Sequence, residues 1–187
     1  MARAAAIADV DRTLLTGRPG RILRNAMHRA GVAAPARPLR PAVDAAATAF
    51  LSTQLTLLGV HASRGWPDTA VREAAATAAK AVVDDAAPHL RPLLDEHRSA
   101  GARILLVSAA PPAIAEPLGA LLGADDVVGT GWAGGRGPLA PIEGPLVWAR
   151  AKAEAGAAWL RAARVSPRSA HAYADNFFAG PLLASVG

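Results

Sequence analysis

The run AIADVDRTLL (Ala6–Leu15) closes a short apolar stretch with two aspartates one residue apart. Residues i and i+2 of a strand lie on one side, roughly 6.6 Å apart along the chain. Asp9 and Asp11 can therefore face one ligand. Two carboxylates that close are poorly tolerated without a cation or a division of labour. A divalent metal supplies the first; a nucleophile paired with a general acid supplies the second. Two further apolar runs stop at polar residues: Arg103–Val107 at Ser108, and Ala170–Ala174 at Asp175. Each has a plainer reading when taken alone. Asp9 and Asp11 suit a turn, Ser108 suits a helix N-cap before Pro111, and Asp175 suits a turn. Lys152 alone suits a solvated helix position. It is the common position at strand ends that gives Asp9, Asp11, Ser108 and Asp175 a joint meaning.

The elements that must place these residues alternate. A short buried strand is expected over 4–8, a helix over 20–31, and a Pro-rich connector at Pro35, Pro38 and Pro41. Two Ala-rich stretches, 42–60 and 68–86, suit helices. Gly59 and the sequence Gly65-Trp66-Pro67 interrupt them. A helix over 89–100 follows, then a strand at 103–107, a helix at 112–122 and a strand at 126–128. Residues 129–144 are rich in Gly and Pro and read as a loop or hairpin. A helix over 145–164, a strand over 170–174 and a last helix from Phe178 or Pro181 complete the chain. Alternation of this kind predicts a parallel α/β sheet, with the early helical block inserted after the first strand. In open α/β sheets, ligands bind beyond the carboxyl ends of the strands, where the polar residues lie.

Composition narrows the choice of chemistry. The chain has 187 residues, 52% of them apolar, which suits one globular unit or one unit with an insertion. It has no cysteine, which excludes disulfides, thiolate metal sites and a cysteine nucleophile. The absence of cysteine and of an apolar leader fits a cytoplasmic setting. Residues 42–60 are the most membrane-like stretch, but Asp44, Gln54 and several Ser and Thr interrupt it. The net charge is +5, yet the arginines are scattered with little aromatic interleaving, so no nucleic-acid partner is expected. Lys80 and Lys152 are the two lysines among 20 basic residues. In a chain that uses arginine almost everywhere, each lysine stands out.

Four segments, in order, resemble the motifs of the haloacid dehalogenase superfamily of phosphotransferases. DVDRTLL (Asp9–Leu15) resembles its first motif, D-x-D-x-T. ILLVSAAPPAIAEPLGALLGADDVVGT, from Ile104, resembles the second motif of the phosphoserine-phosphatase-like subfamily IB. AKAEAGAAWLRAARV, from Ala151, fits the region of the third-motif lysine, and AYADNFFAGPLLASVG, from Ala172, resembles the fourth motif. The resemblance implies a Rossmann-like parallel core over 1–17 and 98–187, with a helical cap over 18–97. It also implies roles. Asp9 would be the nucleophile that forms an aspartyl-phosphate. Asp11 would protonate the leaving group and then activate water. Thr13 would order the loop. Ser108, with backbone N–H groups such as that of Ala109, would hold the phosphoryl oxygens, and Lys152 would neutralise charge. Asp9, the Asp11 carbonyl and Asp175 would hold Mg²⁺, with Asn176 offering a neutral oxygen beside them.

Three departures from the pattern bear on function. The second acidic residue of the fourth motif is Ala179 here, and the bulky pair Phe177-Phe178 precedes it. The pair reads as packing. The glutamate that contacts the substrate amine in phosphoserine phosphatases, seven residues after the second aspartate, is Arg18 here. A cation at that position repels an ammonium and suits an anion. The third is the ending at Gly187, which leaves open a sheet without its last edge strand, a neighbouring surface covered by a partner, or a truncated or degenerate member. An uncovered edge would admit a homodimer.

Other signals are weaker. Gly129–Gly134 matches G-x-G-x-x-G, but Gly135, Gly137 and Pro138 break the helix that a dinucleotide site needs. His28, His61, His89, His97 and His171 show no metal-ligand spacing. Trp66, Trp132, Trp148 and Trp159 read mainly as packing residues. The expectation is a Mg²⁺-dependent hydrolase of a small anionic phosphomonoester. The alternative is a degenerate member of the fold with little phosphatase activity, which serves as a binding or regulatory partner or in another acyl or phosphoryl transfer.

Overall fold

The computed structural model describes residues 4–10, 25, 26, 29, 68–83, 90–131, 146–175 and 177–187. Four parallel strands form one sheet: β1 (Ala5–Asp9), β2 (Arg103–Val107), β3 (Asp126–Val128) and β4 (Ala170–Tyr173). Their order across the sheet is β3-β2-β1-β4. All five residues of β1 are buried. A central parallel strand is covered on both faces, so it reads as a continuous apolar run rather than an alternating one. Alanine is a poor strand former, and here burial between two neighbours overrides propensity.

Helices cover both faces, and the parity of β1 assigns them. Ala6, Ala8 and Val10 pack with Leu90 and Leu94 of α2 (Leu90–Ser99) and with Leu118 and Leu122 of α3 (Pro112–Leu122). Ala5 and Ile7 pack on the opposite face with Leu160 and Ala163 of α4 (Arg150–Ala163) and Leu182 of α5 (Gly180–Leu183). Helix α1 (Asp68–Val82) joins the first of these clusters through Ala79 and packs mainly on α3. Its Val71, Ala74, Ala75 and Ala78 pack on Ala113 of α3, together with Ala26. Arg72 of α1 donates a 2.6 Å hydrogen bond to Glu116 of α3.

Several expected boundaries move, three of them with a clear consequence. Strand β1 extends to Asp9 because Asp9 pairs with Val107 and the Val10 N–H bonds the Val107 carbonyl. Helix α1 ends at Val82 rather than 86. Helix α4 begins at Arg150, not 145, because the backbone reverses at Ala149 (φ 46, ψ −113). The expected helices at 20–31 and 42–60 lie outside the described residues, apart from helical positions 25, 26 and 29. Among the described residues, no helix is long and apolar enough to cross a membrane.

Candidate active site at the carboxyl rim of the sheet

The connection from β1 leads to β2 and β3 on one side, and the chain then returns to β4 on the other side of β1. This reversal makes the carboxyl end of β1 a topological switch point, where such sheets open a crevice. Asp9 is the last residue of β1. Ala8 pairs with Tyr173 of β4, and Asp175 follows two residues beyond Tyr173. Asp9 pairs with Val107 of β2, and Ser108 is the next residue. Asp9, Ser108 and Asp175 therefore leave three adjacent strands at the same rim.

Lys152 arrives from the helical layer. It occupies the first turn of α4, and its ammonium donates a 2.7 Å hydrogen bond to Asp9 Oδ1. The Asp9 side chain is 0% exposed and that of Lys152 is 2% exposed, so the ion pair is dry. The close approach of α4 to β1 makes it possible. At Gly156, one turn beyond Lys152, an added Cβ would lie 3.2 Å from Ile7 Cδ1 and 3.3 Å from Leu182 Cδ1. A side chain there would crowd Ile7 and Leu182 where the helix meets the strand that carries Asp9.

The loop after β2 is held from within and from its neighbour. The Ala110 N–H donates to Ser108 Oγ (3.0 Å), and the Ser108 N–H donates to the Val128 carbonyl (2.9 Å). Ser108 is fully buried. The N-cap of α3 is Pro111, which has no side-chain cap, so Ser108 closes a turn one step before the helix. Gly129 packs against this turn: a Cβ there would lie 2.3 Å from the Ala110 carbonyl oxygen. The next residue, Thr130, donates its N–H to the same carbonyl (3.1 Å). Its buried hydroxyl accepts the Val147 N–H (3.0 Å). Thr130 thus ties the Ser108 loop to the segment that leads into α4.

The neighbours of Lys152 are aromatic. Its ammonium lies 5.4 Å from the centroid of the Trp148 ring, within cation–π range. Trp148 in turn meets Phe178 at 5.5 Å between centroids. Ala179 is buried in the short 3-10 turn Phe177–Ala179 and brings no side-chain oxygen.

The structure joins Asp9 to Lys152 and sets Ser108, Ala109 and Asp175 on the flanking strand ends. Asp11, Thr13, Arg18 and Asn176 lie outside the described residues. Among the described residues, no three His, Asp or Glu side chains form a metal-holding group. The donor chemistry still fits magnesium, which takes one or two carboxylates and keeps several waters. Asp9 and Asp175 carry hard oxygens of this kind at neighbouring strand ends. The sequence reading missed Thr130, and it took Trp148 as mainly packing. A threonine two residues after β3, next to Gly129, was the available signal for the first. For the second it was a tryptophan four residues before a rare lysine.

The comparisons agree with this architecture. A structure described as probable phosphoserine phosphatase from Vibrio cholerae aligns with TM-score 0.63 and 16% identity, over 97% of this chain and 53% of that one. This chain thus spans about half the length of that protein. A Bordetella pertussis Tohama I protein of unknown function aligns with TM-score 0.70 and 17% identity, over 100% of this chain and 88% of that one. A phosphoserine phosphatase solved as its phospho-aspartyl intermediate analogue aligns with TM-score 0.63 and 16% identity, over 100% and 85%. At such identities the likeness is one of fold. No match was found among curated proteins. The family model described as haloacid dehalogenase-like hydrolase matches residues 6–176, a span that runs from β1 through Lys152 to the turn after β4. With that match over most of its length, the chain belongs to the haloacid dehalogenase-like hydrolase family.

Proposed function

We propose that this chain hydrolyses a small anionic phosphomonoester through an aspartyl-phosphate on Asp9. The observation that carries the proposal is the dry Asp9–Lys152 ion pair at the switch point of a sheet in this hydrolase family. The Asp9 carboxylate attacks phosphorus, and the bond from phosphorus to the ester oxygen breaks as Asp11 protonates the departing alcohol. Water, deprotonated by Asp11, then attacks the phosphorus of the acyl phosphate. Inorganic phosphate leaves and Asp9 is restored. Phosphoryl transfer relies on positive charge around the equatorial oxygens. Lys152, Ser108 and the Ala109 N–H are assigned to that task, and Thr13 to ordering the loop. Mg²⁺ held by Asp9, Asp11 and Asp175, with Asn176 beside them, would neutralise further charge. Arg18 is assigned to an anionic group on the substrate.

The cap is proposed over 18–97, with Ala79 of α1 and Leu90 and Leu94 of α2 meeting the sheet's own apolar cluster. We place the protein in the cytoplasm and propose that the outer edge of β4 is where two copies would pair. A second reading, a member with weakened metal dependence and little turnover, is favoured by one observation. Ala179 stands buried where the fourth motif of the family carries a carboxylate. The experiment is hydrolysis of p-nitrophenyl phosphate by wild type and Asp9→Asn, with and without Mg²⁺. Turnover that requires Asp9 supports the first reading. Equal, negligible rates in both proteins support the second.

A further inference from the structure

We propose that Trp148 is the positioning residue that holds the Lys152 ammonium on Asp9, with Phe178 as its buttress. This rests on the phosphoryl-transfer reading of the Asp9–Lys152 pair and assigns that site a residue, Trp148, that lies outside the four motif segments.

Three observations converge. First, a lysine ammonium is a compact point charge on a flexible four-carbon stem, so its position is set by the attractive groups packed around it. The Trp148 ring, 5.4 Å from Nζ, presents an attractive face to the charge. In a dry site such a face acts more strongly than at the surface. Second, the ring is fixed from both directions. Thr130 Oγ1 holds the N–H of the preceding residue, Val147, and the Phe178 ring packs on Trp148 at 5.5 Å, tilted by 41°. Third, the backbone between Trp148 and the helix is strained. Ala149 has φ 46 and ψ −113, a conformation that L-residues rarely adopt. That turn starts α4 at Arg150 and leaves Trp148 outside the helix, with its ring against Lys152. Strain of this kind persists where the surroundings over-determine it. A tryptophan that only filled space would need neither the turn nor the cationic neighbour.

The test uses the scarcity of lysine. Lys80 is exposed on α1, and Lys152 is buried, so a lysine-labelled sample gives two side-chain NMR signals, assigned with Lys80→Arg. The ε-methylene of Lys152 is expected upfield of Lys80 through the ring current of Trp148. Trp148→Leu should abolish that displacement and Trp148→Phe should keep part of it. In p-nitrophenyl phosphate hydrolysis, Trp148→Leu should lower kcat roughly tenfold with little change in KM, and Trp148→Phe should restore most of it. A Lys152 signal unmoved by Trp148→Leu in a folded protein overturns the proposal. Equal kcat in the Leu and Phe variants also overturns it, since a purely structural ring would not distinguish them in this way. If Trp148→Leu does not fold, Phe178→Leu takes its place. A reduced upfield shift then supports the proposal, and an unchanged one contradicts it. If wild type hydrolyses no phosphate ester, the phosphatase reading fails, while the lysine signal still decides whether Trp148 holds the ammonium.

Discussion

The Lys152 ammonium reaches Asp9 Oδ1 at 2.7 Å across 143 positions of sequence, and both side chains are shut off from water. Dry ion pairs are costly to break from one side, because the remaining charge is left buried without its partner. Lys152→Met and Asp9→Asn are each expected to lower unfolding stability by ~3 kcal/mol. The double variant should lose less than the sum of these losses, with a coupling of about 2 kcal/mol. Urea denaturation of the four proteins checks this. Additive losses would mean that the pair is not coupled in the folded state.

Gly156 sets the distance between the helix that carries Lys152 and the strand that carries Asp9. Gly156→Val is expected to cost ~2–3 kcal/mol by overpacking against Ile7 and Leu182, and to reduce hydrolysis more than Gly156→Ala. Thermal unfolding and kcat, measured side by side, should fall together across the two variants.

Gly129 touches a different part of the rim. An added methyl at this position meets the Ala110 carbonyl, a backbone atom that cannot swing aside. Gly129→Ala should cost ~1–3 kcal/mol. It should also raise KM for phosphate esters more than Gly156→Ala does, because the displaced turn carries Ser108. Steady-state kinetics with inorganic phosphate as competitor checks the second part.

The edge of the sheet gives a pH signature. His97 and Tyr173 share a 2.6 Å hydrogen bond, with His171 stacked 5.1 Å from His97. Burial and then the charge of His171 hold His97 below its ordinary value of 6.5, against an opposing pull from Glu96. The unfolded chain therefore takes up this proton first as pH falls. The contribution is fully present above 6.5 and is lost as pH drops through the lowered folded value. Burial and then Glu96 raise Tyr173 above its ordinary 10.0. Its contribution is present below 10.0 and is lost as pH rises through the raised value. Unfolding stability followed against pH should show a plateau between these limits, and His97→Gln should flatten its acid side.

Much of this was legible because the local signals agree with one another. The apolar run Arg103–Val107 could only be a buried strand, and its end at Ser108 placed a polar group at the rim. The rarity of lysine singles out Lys152 from sequence alone. The start of α4 was not legible. The stretch PLVWARAKAEA has helical composition throughout, yet the Thr130 hydroxyl captures the Val147 N–H and the chain turns at Ala149. Both causes are tertiary. Gly129 drew notice as part of a nucleotide-like G-x-G-x-x-G pattern, but its close neighbour is the Ala110 carbonyl, a contact between two loops that no local pattern encodes. The fourth motif is the reverse case. Ala179 was visible as a missing carboxylate, while the Trp148–Phe178 contact beside it depended on two segments meeting in space.

The most direct measurement of the role given to Asp9 is to find where phosphate is carried during turnover. Wild type is mixed with a phosphate monoester, quenched in acid, reduced with borohydride and mapped by mass spectrometry. A phosphoryl group held on the Asp9 carboxylate converts that side chain to homoserine, and Asp9→Asn should yield none. Turnover that leaves Asp9 unmodified, or that marks a different carboxylate, would contradict the nucleophilic role of the Lys152-paired aspartate.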